Sequence, residues 1–243
     1  MTPDAYITDQ LVINMPSQST IPDLAAPRSQ RQRRKEARPQ ELLQAALQLF
    51  DQKGFAATRI DEVAQKAGVS KGTLYLYYPS KEDLFKAVVR QNLSSLIEEG
   101  QQLAAHFEGS SAELLRCLMQ TWWERVGDTA VAGIHKIVLA EVRNFPELAQ
   151  FYTDEVIIPA DRLFTAAVQR GVDSGEFRAL PLHEVAHALI APLIFMALQR
   201  HSFGCCPVNG GVDVDPSLML QTHLDLVLRG LEVRPEPAVS KTA

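Results

Sequence analysis

Residues 58–81 read Thr58-Arg59-Ile60-Asp61-Glu62-Val63-Ala64-Gln65-Lys66-Ala67-Gly68-Val69-Ser70-Lys71-Gly72-Thr73-Leu74-Tyr75-Leu76-Tyr77-Tyr78-Pro79-Ser80-Lys81. Thr58 is placed to cap a short helix reaching Ala67, with Asp61 and Glu62 at its positive end. Ile60, Val63, Ala64 and Ala67 fall on its inner face. Gly68 permits a tight turn, Ser70 caps a second short helix to about Leu76, and Pro79 stops it. Two short helices joined by a glycine-centred turn make a helix-turn-helix. Val63, Ala64, Val69 and Leu74 lock the crossing. The second helix opens on Ser70, Lys71, Gly72 and Thr73, which are small or polar. Such a start suits entry into a DNA major groove, where a recognition helix reads bases with its N-terminal residues.

Both flanks read as helix. Upstream, Pro39 opens a helix whose apolar face is Leu42, Leu43, Ala46, Leu47, Leu49 and Phe50, and Gly54 closes it. Downstream, Ser80 caps a helix reaching about Phe107. Further helical patterns cover about 111–127, 130–144, 146–151, 152–173, 182–201 and 216–231, with kinks expected at Pro159 and Pro192. No alternating strand pattern or internal repeat appears. The fold class is all-α: a three-helix DNA-binding domain over 36–82 and a helical ligand-binding and dimerisation domain over 83–232. A disordered extension with a basic arm precedes them over 1–35, and a disordered tail closes the chain over 233–243. Met15 is an alternative start to Met1.

Charge shows the same division. The chain carries a net charge of −5, yet residues 28–81 hold eleven Lys/Arg against five Asp/Glu. One basic segment in an acidic chain suggests a local polyanion footprint. A run of charge also fits a merely solvated tail. The three cysteines, Cys117 and the pair Cys205–Cys206, are too few for a disulfide framework and suit a reducing compartment. With no secretory leader and no run near 18 consecutive apolar residues, the expectation is a cytoplasmic protein without a membrane partner.

The motif resembles the DNA-binding segment of the TetR family. The matching residues are Gly54-Phe55, Thr58, Val63-Ala64, Ala67-Gly68-Val69-Ser70, Gly72, Tyr75, Tyr78 and Ser80-Lys81-Glu82-Asp83-Leu84, within about 38–90. Tyr78 stands where phenylalanine is usual, and Arg59 where serine or threonine often sits. The resemblance implies that Lys71, Gly72 and Thr73 approach bases and that Tyr75 meets a phosphate or a thymine methyl. It also implies that Tyr77, Lys81 and Thr58 clamp phosphates, with Arg59 adding another such contact. Leu74 and Tyr78 read as core. The segment Val138-Leu139-Ala140-Glu141-Val142-Arg143-Asn144-Phe145-Pro146-Glu147-Leu148-Ala149 is similar to the AcrR/AefR-like subgroup.

The implied function is a transcriptional repressor. It would bind a near-palindromic operator as a homodimer and lose operator affinity when a small apolar or aromatic ligand binds, with no cofactor and no enzymatic activity. Candidate ligand-wall residues are Met119, Trp122, Trp123, His135, Leu139, Phe151, Phe164, Val168 and Phe195, with His135 and Arg143 as polar anchors. The expected dimer seam is Leu189, Ile190, Leu193, Ile194, Met196 and Ala197, with Leu220, Leu224, Val227 and Leu228.

Two other readings stay open. His183-Glu184-Val185-Ala186-His187 matches H-E-x-x-H, which sets two histidines on one helical face for a metal. The extended zincin pattern fails, because Ile190 and Leu193 occupy its next glycine and histidine positions. The second alternative is sequence-independent binding, which would keep phosphate contacts and lose base discrimination. No P-loop and no G-x-S-x-G motif is present.

Overall fold

The computed structural model describes residues 30–141, 143–203 and 215–233. Residues 1–29 of the expected extension, Cys205, Cys206 and nearly all of the expected C-terminal tail therefore lie outside the described residues; residues 30–35, expected to be disordered, are helical, and with them the backbone of the basic arm from Arg31 on. Of the described residues, those from 30 to 37 belong to one unit and those from Arg38 on to another; the helix-turn-helix, the hydrophobic cores and the cavity all belong to the second.

Eleven α-helices are described, joined by short π and 3₁₀ turns: α1 (Gln30–Ala57), α2 (Ile60–Lys66), α3 (Lys71–Tyr77), α4 (Lys81–Val89), α5 (Ser95–His106), α6 (Ser111–Trp122), α7 (Gly133–Glu141), α8 (Pro146–Tyr152), α9 (Ile158–Asp173), α10 (Leu182–Phe203) and α11 (Pro216–Leu231). Pro39 lies inside α1 and does not open it. A proline at such a position offers no N–H to the carbonyl four residues earlier, and its ring crowds that carbonyl. Gly54, at φ 79°, breaks the helix before Phe55 as expected, and Gly68 turns the chain between α2 and α3 at φ 67°; both angles favour glycine.

The expected boundary at residue 82 crosses a continuous core. Phe50, Phe55 and Phe85 are fully buried and pack mutually with ring centroids 5.4–5.6 Å apart. The same cluster continues through Leu84, Val88 and Leu93 to Ile134, Leu148 and Tyr152. A second core joins α6, α9, α10 and α11 around Leu114, Met119, Val168 and Leu189.

Two π turns, Arg90–Ser94 and Thr153–Ile157, let adjacent helices run on, whereas a third, Trp123–Gly127, closes the path of α6 before the turn at Asp128 and Thr129. The turn from α8 into α9 has a local cause. Pro159 has no N–H for the carbonyl of Glu155, four residues earlier, and the Ser94 hydroxyl donates to that carbonyl instead, at 3.3 Å. The pieces expected at 146–151 and 152–173 are thus one continuous helical path. Near Pro192 in α10, the buried His223 of α11 meets the Leu189 carbonyl at 3.0 Å.

By length and composition α10 is apolar enough to cross a membrane: an 18-residue window within Leu182–Ser202 has a mean hydropathy of 1.4, and a third of that window is buried. Its apolar residues go to three places. Leu189, Leu193 and Ala197, with Leu220, Leu224 and Leu228 of α11, pack inside the protomer and do not form a dimer seam. Ile190 and Ile194 line a cavity. Phe195, expected in the ligand wall, is 60% exposed; Leu218 and Leu226 of α11 are 61% and 70% exposed. An all-round apolar helix gives periodicity no face to report.

Candidate DNA interface and ligand cavity

The Ser70 side chain caps α3 by accepting from Thr73 N at 3.1 Å, and the two hydroxyls share a 2.8 Å hydrogen bond. Leu74 anchors α3 in the core, Tyr77 and Tyr78 pack partly against it, and Lys71, Gly72 and Tyr75 are exposed. Leu76, which the sequence pattern does not single out, is 85% exposed. It lies three and four residues beyond Thr73 and Gly72, on their face of the helix. Asp61 pairs with Arg59 at 2.8 Å and with Lys71 at 3.3 Å. A backbone N–H and then Lys71 hold its carboxyl below the usual range.

Two expected phosphate contacts are placed otherwise. Thr58 is 2% exposed, and its hydroxyl donates back to the carbonyls of Gly54 at 2.7 Å and Leu49 at 3.2 Å. It secures the end of α1; Arg59 occupies the N-cap of α2, without a side-chain cap. Lys81 donates to the carbonyls of Phe55 at 2.9 Å, Ala56 at 3.1 Å and Thr58 at 3.3 Å. An ammonium has three donors, so carbonyls at the end of α1 engage all of them.

Below these helices lies a cavity of about 630 Å³, within the range of drug-sized ligand sites. Of the expected wall residues, Trp122, His135, Leu139 and Phe164 line it. Met119, Trp123 and Val168 are buried in the second core instead, and Phe151 sits under Lys86 and Arg90, 5.7 and 4.9 Å from its ring centroid. Arg143 is exposed. Sequence reasoning missed α5, which supplies Leu96, Ile97, Gly100 and Leu103, and missed Asp161 and Ile190. Burial pushes His135 down to about 4, and its Nδ1 lies 2.5 Å from the Tyr152 hydroxyl.

Helix α7 touches both regions. His135, Val138 and Leu139 face the cavity. Lys136 donates to the Asp51 carbonyl at 3.2 Å, and Glu141 accepts from Ala56 N at 3.2 Å. Beyond its end, Phe145 meets Phe55 edge-on with centroids 5.2 Å apart.

His183 and His187 lie on the first turns of α10. His183 Nδ1 is 2.8 Å from Asp161, and His187 Nδ1 is 2.8 Å from the His183 carbonyl. Among the described residues, no group of three or more His, Cys, Asp or Glu is placed to hold a metal ion.

Comparison with known proteins agrees with this architecture. Residues 42–88 match the model for bacterial regulatory proteins of the tetR family, and residues 108–203 match the tetracyclin repressor-like C-terminal domain. The HTH-type transcriptional repressor KstR2 of Rhodococcus jostii (strain RHA1) is 29% identical over 200 residues, 81% of this chain and 92% of that protein. The fatty acid degradation regulator FadR from Bacillus halodurans superposes with a TM-score of 0.66 at 20% identity, over 81% of this chain and 97% of that one. The regulator FadR from Bacillus subtilis, solved with stearoyl-CoA, gives 0.62 at 18% identity, over 79% and 99%. At these identities the two structures speak for the fold alone. With a helix-turn-helix set on a helical domain that encloses a cavity, and with both family models matched in order, the chain belongs to the TetR family of DNA-binding transcriptional regulators.

Proposed function

We propose that the chain is a cytoplasmic, homodimeric repressor whose operator affinity falls when an apolar small molecule fills the cavity. The observation that carries this is the double placement of α7, with His135 and Leu139 in the cavity wall and Lys136 and Glu141 on α1. A ligand that shifts α7 or α5 moves the helix-turn-helix, and its effect on DNA affinity equals its differential affinity for the two arrangements. The naming of KstR2 as a repressor agrees with repression, and the stearoyl-CoA on the Bacillus subtilis FadR agrees with an effector that carries an apolar chain.

On DNA, Lys71, Gly72, Thr73, Tyr75 and Leu76 face base edges, and Arg59 and Tyr77 approach phosphates. Ser70 orders the start of the recognition helix, while Thr58 and Lys81 hold it in place from behind. The open apolar faces at Phe195, Leu218 and Leu226 meet their twofold mates, which aligns two recognition helices with successive major grooves.

The test is a fluorescence-anisotropy titration of the full chain against duplex selected from a random pool, with a scrambled duplex as control, at two salt concentrations. Sequence-specific binding that weakens with salt supports the reading. Equal binding to both duplexes favours the sequence-independent alternative, and failure to enrich any duplex overturns the DNA assignment.

A further inference from the structure

The cavity wall is apolar except at a few points, and one of these is deeply buried. His135 is 6% exposed, and its Nε2 is buried without a hydrogen-bond partner. Its Nδ1 meets the Tyr152 hydroxyl, which has no second partner among the described residues. Burial lowers the imidazole's proton affinity and raises the phenol's, so at neutral pH the ring carries a single N–H and Tyr152 keeps its proton.

Two tautomers remain, and they leave unequal numbers of polar groups unmet. If Tyr152 O–H donates to Nδ1, the proton sits on Nε2, and one buried group, that N–H, lacks a partner. If Nδ1–H donates to Tyr152, both the phenolic O–H and the Nε2 lone pair go unmet. Each unmet buried group costs free energy, so the first arrangement wins. His135 therefore offers a donor, and a ligand acceptor would relieve its cost.

The charge in the wall narrows the ligand further. No lysine or arginine lines the cavity, whereas Glu99 and Asp161 do. Glu99 is already paired with Arg125, and Asp161 lies 2.8 Å from His183 Nδ1, so an anionic head group would find two partnered acids, the His187 ring and no lysine or arginine in the wall.

We propose that the cavity selects an uncharged apolar molecule bearing a carbonyl oxygen, which accepts from His135 Nε2, with Tyr152 as the positioning residue that fixes the donor tautomer. This rests on the reading of the cavity as the regulatory ligand site and names the chemistry that site prefers. A ketone, an ester or a thioester carbonyl fits; a free carboxylate does not.

Tryptophan emission supplies the readout. The chain has two tryptophans; Trp122 lines the cavity with its ring centroid 5.8 Å from that of His135, and Trp123 is buried in the adjoining core. The probes are 2-dodecanone and dodecanoate, titrated into the full chain. The wild type should bind the ketone at least tenfold more tightly, and His135→Phe should weaken the ketone about tenfold while leaving dodecanoate unchanged. Nitrogen-15 NMR of the wild-type imidazole should show the proton on Nε2, and Tyr152→Phe should erode that preference. Equal or tighter dodecanoate binding, an unchanged ketone affinity in a folded His135→Phe, or a proton on Nδ1 in the wild type each overturns the proposal. If neither these probes nor their eight- and sixteen-carbon homologues bind, the cavity is not an apolar ligand site and the broader reading falls with it.

Discussion

The ammonium of Lys81 lies 4.6 Å from the centre of the Phe55 ring while donating to the Phe55 carbonyl at 2.9 Å. A residue that family resemblance assigns to a DNA phosphate is here an internal clamp on the C-terminal end of α1, where the helix dipole favours a cation. Charge-assisted hydrogen bonds of this kind contribute about 2 kcal/mol each at most sites. Lys81→Met should therefore lower stability by about 2–3 kcal/mol in urea unfolding. Its effect on operator affinity should be small once the folded fraction is accounted for, and the slope of log affinity against log salt should stay unchanged. A slope reduced by about one would return Lys81 to the phosphate.

Leu76 invites the opposite experiment. Leu76 is exposed on the face of α3 that is proposed to read bases; a leucine makes no hydrogen bond there, and the apolar feature of the major groove is the thymine methyl. Replacing thymine by uracil at single operator positions should cost the wild type about 0.8 kcal/mol, roughly fourfold, at one position per half-site. In Leu76→Ala that sensitivity should vanish. If every position tolerates uracil in the wild type, Leu76 does not read the sequence.

The helix-turn-helix was legible because its signals are local: the Gly68 turn, the Ser70 and Ser80 caps, and the small residues at the start of α3. The helical spans of the second domain were also near the observed ones, since Pro146 opens α8 and Pro181 precedes α10, although Pro39, Pro159 and Pro192 lie inside helices. What failed was the assignment of faces. Thr58 and Lys81 turn inward through partners on α1 that lie up to 26 residues away. Met119, Val168 and Phe195 share the composition of cavity residues, and which apolar side chain meets a void, a neighbour or solvent is decided by tertiary packing. Gly100 and Asp161 enter the cavity wall without any sequence cue.

His135 gives a pH dependence whose sign can be worked out. Its folded pKa of about 4 lies below the unfolded value of about 6.5, so between those values the unfolded chain binds more protons. Stability then falls as pH falls through that window and is restored above it. A displacement of this size corresponds to about 3 kcal/mol. Urea unfolding at pH 7 and at pH 4 should show a loss from this source that is absent in His135→Phe. A variant that retains the full acid sensitivity would assign the loss to other groups.

The exposed apolar faces of α10 and α11 set the last test. Phe195 and Leu226 stay open while Leu189, Leu193 and Leu224 fill the protomer's own core, so charge placed at the open positions should spare the fold. Phe195→Glu with Leu226→Asp should sediment as a monomer with unchanged helicity by circular dichroism. Two half-sites bound by linked heads gain an effective concentration in the millimolar range, and losing that link should weaken operator binding by about 10²–10⁴-fold while leaving half-site binding intact. A double variant that remains dimeric would move the interface elsewhere on the second domain. One that becomes monomeric yet holds the full operator as tightly as before would show that the two recognition helices do not act together.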